Sequence, residues 1–221
     1  MALGQDGEFS LINDLTVIYY TANKEPPAFA DAVRKQLLLA IGDTPLISVS
    51  QEPMPDFGRN ICIGNVGRSF LNIWRQALIG VKAAETKFVA MAEADVLYPP
   101  NHFTDFRPKP DEFAYDMCKW SIYTWVAPEN QRYHHKHRHT MTSLLCPTEL
   151  FIETMEERFA KYPGDDVPIR YWGEPGKYER QLRVAERKMV EYTAWVPHVI
   201  FSHPEAVGYE FLGTRKRMGP M

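Results

Sequence analysis

Hydrophobic and polar positions divide the chain into short apolar runs separated by stretches of helical period. Leu15-Thr16-Val17-Ile18-Tyr19-Tyr20 is apolar, β-branched and aromatic almost throughout, the pattern of a strand buried on both faces. After a turn-like stretch over 23–27, Phe29, Val33, Leu37, Ala40 and Ile41 recur at helical spacing, and Gly42 supplies a stop signal. Residues 45–50, ending at Ser50, read as a second strand. The Gly-, Pro- and Asp-rich stretch 54–68 predicts a loop. Phe70, Ile73, Trp74, Ala77, Leu78 and Val81 then form one helical stripe with Ser69 or a neighbour as N-cap. Residues 87–91 predict a third strand, which Pro99 and Pro100 bar from continuing.

Strand, helix and strand in succession favour a parallel α/β layer, because parallel neighbours need a crossover and a helix usually supplies it. Ligands of such layers gather at the C-terminal ends of the strands. In the second half, the aromatic segment 113–126 predicts two strands, 148–162 an amphipathic helix and 178–192 a charged helix. Residues 199–203 read as a short strand ending in histidine. No internal repeat or low-complexity segment interrupts this order.

Composition narrows the picture. With 221 residues, 45% of them hydrophobic, one compact domain spanning 1–221 is expected. A net charge of -3 and a pI near 6.2 exclude a surface that is basic overall, while leaving room for a local basic patch. Cys62, Cys118 and Cys146 form no C-x-x-C pair, and their odd number does not suit a disulfide framework, so a reducing compartment is expected. No apolar stretch approaches the roughly 20 residues that cross a bilayer. Residues 1–10 are acidic and polar where a signal peptide is basic and then apolar. The expectation is a soluble, cytoplasmic protein with no membrane partner.

Candidate chemistry centres on Glu93-Ala94-Asp95, directly after the apolar run 88–92. Carboxylates two residues apart in extended chain share a side, and they suit a hard divalent cation, Mg2+ or Mn2+, that neutralises a departing diphosphate. Taken alone, such a pair is usually no more than a polar strand end followed by a turn. Its context adds more. Ala84-Glu85-Thr86-Lys87-Phe88-Val89 fits the pattern A-x-T-x-[YF]-V, which leads to a strand, an acidic element, an aromatic residue and a proline. The run 72–103 thereby resembles the central stretch of GT-A glycosyltransferases of the family 2 type.

The resemblance implies a GT-A, Rossmann-like fold: an α/β domain with a mixed, mostly parallel sheet flanked by helices. Residues 1–103 would form the nucleotide-sugar-binding half, and 104–221 the acceptor half with a late metal-ligand segment. It implies transfer of a sugar from a nucleotide-sugar donor, a UDP-sugar, with Mn2+ or Mg2+ as cofactor. By analogy Glu93 faces the donor ribose and Asp95 ligates the metal, although Glu93 departs from the aspartate usual at that position. A late histidine on the same metal corresponds to His203, with His198 as a weaker candidate. Arg215 and Arg217, in the basic cluster 214–217, would clamp the diphosphate.

Other assignments come from position. Tyr20, Thr21, Asn23 and Ser50 lie at the ends of the first two strands, where base and ribose would be walled. Gly64 opens Gly64-Asn65-Val66-Gly67-Arg68-Ser69, which looks like a phosphate-cradling turn but is more simply a helix-capping turn; it lacks the lysine of a P-loop. Arg75, on the polar side of the following helix, would reach the donor or face water. Inverting transfer needs a carboxylate base, and Glu174 in Tyr171-Trp172-Gly173-Glu174-Pro175-Gly176 is the best placed, with Asp165 and Asp166 as competitors; retaining transfer would need none.

The run Arg132-Tyr133-His134-His135-Lys136-His137-Arg138-His139 matches no closed metal site by spacing and predicts an exposed, acceptor-facing loop. Together with Trp120 and Trp125 it offers cations for phosphates and aromatics for bases or sugar rings. The compact chain also resembles phage-type GT-A enzymes, some of which glycosylate hydroxymethylated bases in DNA. A 5-hydroxymethylpyrimidine in DNA is therefore the leading acceptor, beside a saccharide. Two other classes compete: a nucleotidyltransferase, disfavoured because the stretch after the first strand, 20–26, has no glycine, and a non-catalytic binding module.

Overall fold

In a computed structural model, residues 14–123, 133–164 and 166–202 are described. Strand β1 (Leu15–Thr21) is buried along all seven residues. Side chains alternate along a strand, so its two faces feed two cores. Leu15, Val17 and Tyr19 pack with Leu37, Ala40 and Ile41 of helix α1 (Pro27–Ile41). Ile18 and Tyr20 pack with Leu71, Trp74, Ala77 and Val81 of helix α2 (Phe70–Lys82) and with Phe151 and Met155 of helix α4 (Thr148–Lys161).

Helix ends follow the sequence signals. α1 starts on a proline and ends at Gly42, whose φ of 53° is open to glycine at little cost. The Ser69 hydroxyl accepts from the Asn72 amide at 3.1 Å and caps α2. Gly80 brings α2 close to β1: a Cβ there would meet Ile18 Cγ2 at 2.6 Å.

Among the described residues, eleven strands fall into two sheets. The larger has the order β10-β6-β9-β4-β1-β2-β3. Its members are β10 (Lys188–Tyr192), β6 (Glu112–Asp116), β9 (Leu144–Pro147), β4 (Phe88–Glu93), β1, β2 (Leu46–Ser50) and β3 (Arg59–Cys62). β9 is antiparallel to both its neighbours, and the remaining pairs are parallel. The expected mixed, mostly parallel sheet flanked by helices is thus observed. The smaller sheet has the order β5 (Val96–Leu97), β11 (His198–Ser202), β7 (Lys119–Tyr123) and β8 (Tyr133–His135).

The chain passes from the larger sheet to the smaller three times. It leaves β4 for β5 through Ala94-Asp95, leaves β6 for β7 through Met117-Cys118, and leaves β10 for β11 through 193–197. These crossings put the ends of β4 and β6 and the start of β11 in one region. Helix α3 (Asn101–Thr104) follows β5 into the same region.

Three expectations need correction. The predicted loop 54–68 contains β3, whose mostly polar, half-exposed residues leave no apolar pattern to read. The predicted charged helix 178–192 is one helical turn, α5 (Glu179–Leu182), followed by β10. Arg183 adopts a left-handed conformation (φ 54°) that ends the helix, and β10 is an edge strand whose exposed positions tolerate Lys188 and Glu191. The His-rich run begins as a strand, β8, paired with β7. No helix of the described residues is long and apolar enough to cross a membrane.

Candidate functional site

Glu93 is the last residue of β4, and Asp95 lies in the turn that carries the chain to β5. β1 runs parallel to β4 with Tyr20 opposite Glu93, and the Tyr20 hydroxyl donates to Glu93 Oε1 at 2.5 Å. Tyr20 is therefore a buried support of Glu93. Tyr98 holds the same point from below: its hydroxyl accepts from the Glu93 amide at 3.3 Å and donates to the Thr142 carbonyl at 3.0 Å.

Asp95 is only 7% exposed, and burial together with the Glu93 charge pushes its carboxyl up to about 8. Burial also raises Glu93, against the opposing pull of the Tyr20 hydrogen bond and of Lys136. Two crowded carboxyls whose charged forms are disfavoured make a pair that a divalent cation would relieve. Carboxylate oxygens are the hard donors that Mg2+ and Mn2+ take. The residues present therefore fit such an ion.

Three further charged groups share this electrostatic neighbourhood. Lys136 and Arg138, from the His-rich segment, both favour the Glu93 carboxylate, and Lys136 also favours that of Asp95. Glu174 opposes Glu93 from the other direction. Glu174 sits in a loop whose backbone is held on both sides. Arg158 Nη1 donates to the Gly173 carbonyl at 2.7 Å, the Tyr115 hydroxyl donates to the Pro175 carbonyl at 2.8 Å, and the Gly176 amide donates to Glu179 Oε1 at 2.8 Å. Arg158 and Glu179 are themselves a buried ion pair at 2.7 Å. Gly176 has φ 94°, and a Cβ there would meet Met189 Cβ at 2.5 Å.

The other expected residues divide into those at the strand ends and those elsewhere. Asn23 (φ 56°) accepts from the Gln51 and Glu52 amides at 2.9 and 3.0 Å, tying β1 to β2. Thr21 donates its hydroxyl to Glu25 Oε2 at 3.1 Å. Ser50 is fully buried and bonds inward, donating to the Glu52 carbonyl and accepting from Asn60. Gly64 (φ 72°) is exposed in the loop before α2, and Arg75 packs its guanidinium over Phe159, 5.7 Å from the ring centre. The Phe201 amide of β11 donates to the Asp95 carbonyl at 2.8 Å, so β11 ends beside the acidic turn. His203, Arg215 and Arg217 lie outside the described residues, as do Trp125, Arg132 and Asp165.

His198, the weaker histidine candidate, turns away from Asp95. Its ring stacks on Tyr98 at 5.6 Å, and Nδ1 lies 3.6 Å from Asp116 Oδ2. His102 Nδ1 approaches the same oxygen at 3.0 Å. All three side chains are wholly buried, and among the described residues they form a group able to hold a metal ion. Burial pushes His198 down to about 3. Burial alone would raise Asp116, but the two imidazoles and the Cys118 amide hold it below its ordinary value. In the His-rich run, His135 meets the Met117 carbonyl at 3.0 Å and the edge of the His137 ring, with ring centres 4.1 Å apart, while His139 meets Glu191 at 2.7 Å.

Sequence reasoning did not find Lys136 and Arg138 as neighbours of the acidic pair, although it singled out their segment. Nor did it find the Arg158–Glu179 clamp or His102 and Asp116, whose roles depend on contacts between distant elements.

No protein-family model and no curated protein matches this sequence. Similar solved structures include a protein from Aquifex aeolicus VF5, with 12% identity over 81% of this chain and 86% of that one, at a TM-score of 0.46. A glycosyltransferase involved in glycosylation of the major capsid of PBCV-1 has 12% identity over 81% of each chain, at 0.45. S. aureus TarS 1-349 in complex with UDP has 15% identity over 89% of this chain at 0.49, and this chain spans only 62% of it.

Proposed function

We propose that the protein is a metal-dependent GT-A glycosyltransferase that moves a sugar from a nucleotide-sugar donor, a UDP-sugar, to a hydroxyl acceptor. The observation that carries this reading is the placing of Glu93 and Asp95, both largely buried, at the end of parallel strand β4, within electrostatic reach of Glu174 and the cation Lys136. Acids at a parallel strand end suit a cation-bound diphosphate, and a separate carboxylate suits proton removal from an acceptor.

In this reading Asp95 holds Mn2+ or Mg2+, which supplies charge neutralisation at the departing diphosphate. Glu93, fixed by Tyr20, faces the ribose, and Thr21 and Asn23 line the nucleoside side, with Ser50, Gly64 and Arg75 contributing from the elements behind them. Arg215 and Arg217, outside the described residues, would clamp the diphosphate, and His203, also outside them, would ligate the same ion. For transfer with inversion, the acceptor oxygen bonds to the anomeric carbon as the bond to the diphosphate oxygen breaks. Glu174 takes the acceptor proton, and the nucleoside diphosphate leaves with the bonding pair.

The acceptor we propose is a hydroxymethylated pyrimidine in DNA. Trp120 and Tyr133 pair at 5.3 Å, with Tyr133 71% exposed, beside the cationic segment. Exposed aromatics next to cations suit stacked bases and phosphates. Two experiments test the reading. Thermal shift with Mn2+ and a panel of UDP, GDP and CDP compounds should show stabilisation by one nucleotide with metal, and no stabilisation by any combination would sink the enzyme reading. Labelled UDP-sugars incubated with plain DNA, hydroxymethylated DNA and oligosaccharides should label the hydroxymethylated DNA, and labelling of saccharide alone would overturn the DNA acceptor.

A further inference from the structure

The three crossings from the larger sheet to the smaller each deliver one metal-ligating side chain to a single buried point. Asp116 ends β6 just before the crossing to β7, His198 opens β11 just after the crossing from β10, and His102 lies on α3 beyond the crossing from β4 to β5. We propose that His102, Asp116 and His198 bind a transition-metal ion, zinc by their donor set, which staples the two sheets together beneath the Glu93–Asp95 turn.

The distances suit such an ion. Zn–N and Zn–O bonds of about 2.0–2.2 Å in tetrahedral geometry place ligand atoms roughly 3.3–3.6 Å apart. His102 Nδ1 and His198 Nδ1 lie 3.0 and 3.6 Å from Asp116 Oδ2, and one ligand atom from each residue falls within 4.8 Å of the others. The carboxylate is aimed at the imidazoles from behind: its Oδ1 accepts from the Cys118 amide at 2.8 Å and the Ala194 amide at 3.2 Å. Those two amides belong to two of the three crossings, so one carboxylate organises the whole junction.

Hydrogen bonding leaves His198 unexplained. Neither of its ring nitrogens has a hydrogen-bond partner, nor does His102 Nε2, and both rings are fully buried. Buried polar groups are nearly always partnered. An ion between the rings and the carboxylate supplies a partner for one of the two nitrogens of His198. Two imidazoles and a carboxylate favour zinc and its neighbours over Mg2+, whereas the Glu93–Asp95 pair has the opposite preference. Three protein ligands leave the fourth tetrahedral position to a non-protein ligand such as a water.

The test is independent of the transferase reading. The full chain, produced in zinc-supplemented medium and dialysed, is analysed for metal by mass spectrometry, and its thermal midpoint is recorded before and after treatment with a strong zinc chelator. About one zinc per chain is expected, with a midpoint lowered by the chelator and restored by Zn2+ but not by Mg2+. Asp95→Asn should keep the zinc, and His198→Phe should lose it. Should His198→Phe fail to fold, the native chain and Asp95→Asn decide the matter. A native chain that carries no zinc and takes none up, or a zinc content lost in Asp95→Asn, would overturn the proposal and leave the triad as a hydrogen-bonded hub.

Discussion

Replacing Arg158 by methionine separates what the buried ion pair does for stability from what it does for the Glu174 loop. Arg158 is fully buried on α4 and spends one guanidinium nitrogen on Glu179 Oε1 and another on the Gly173 carbonyl, each at 2.7 Å. Methionine fills much of the volume but leaves the Glu179 carboxylate, 4% exposed, with the Gly176 amide as its remaining hydrogen-bond donor among the described residues. Removing one member of a buried pair costs about 3–5 kcal/mol because the other charge stays buried. At about 2–4 °C per kcal/mol for a chain of this size, the thermal midpoint should fall by about 6–20 °C. The double variant Arg158→Met, Glu179→Met buries no unpaired charge and should regain most of that loss. Its loop would still lack the anchors at Gly173 and Gly176. Because a displacement on the order of 1 Å at a reacting group can cost about 100-fold, kcat should stay about 10–100-fold low while the donor KM changes little. Calorimetry and steady-state kinetics on both variants read the two effects. A single variant within about 2 °C of the native midpoint would refute the burial argument, and a double variant with native kcat would show that the clamp does not position Glu174.

Asp95→Asn should abolish metal-dependent donor hydrolysis or transfer, and above about pH 8, where the native carboxyl is charged, it should raise the midpoint of the metal-free protein; full activity in this variant would refute the metal role. The pH dependence of stability follows from the same residue. Its carboxyl is raised from about 3.9 in the unfolded chain to about 8 in the fold. The folded state therefore binds the extra proton between those values, and its contribution is whole below about pH 4 and lost as pH rises through about 8. Metal-free thermal midpoints should fall over that window, and saturating Mn2+ should oppose the fall; parallel curves with and without Mn2+ would contradict the assignment. Gly176→Ala should destabilise by about 1–3 kcal/mol in urea titrations, because its Cβ would meet Met189 Cβ at 2.5 Å in a left-handed backbone; an unchanged urea midpoint would mean that the loop relaxes freely.

What the sequence made legible was local in chain and strong in pattern. β1, α1, β2, α2, β4 and α4 each carry a dense apolar period or an end signal such as Ser69 or Gly42. β3 and β10 do not. They are edge strands with half-exposed polar residues, and β10 follows a genuine helical turn that made the whole charged stretch look helical. The acidic turn was readable for the same reason as the strands, since Glu93 and Asp95 follow directly from the apolar run that forms β4.

The surroundings of that turn were hidden because they are assembled across the chain. Glu93 and Tyr98 are five residues apart, but Tyr98 matters by reaching Thr142 with its hydroxyl and His198 with its ring. Asp116 reads as the polar end of a strand until the fold brings the Cys118 and Ala194 amides to one of its oxygens and two imidazoles to the other. Its place at the crossings also explains why the acidic turn can be exact in position while being a turn. The backbone that carries Asp95 is bonded to Phe201 of β11, β11 begins at His198, and His198 is packed between Tyr98 and Asp116. Loosening the triad should therefore be felt at Asp95 through β11 and Tyr98, although no side chain of the triad hydrogen-bonds to either acid.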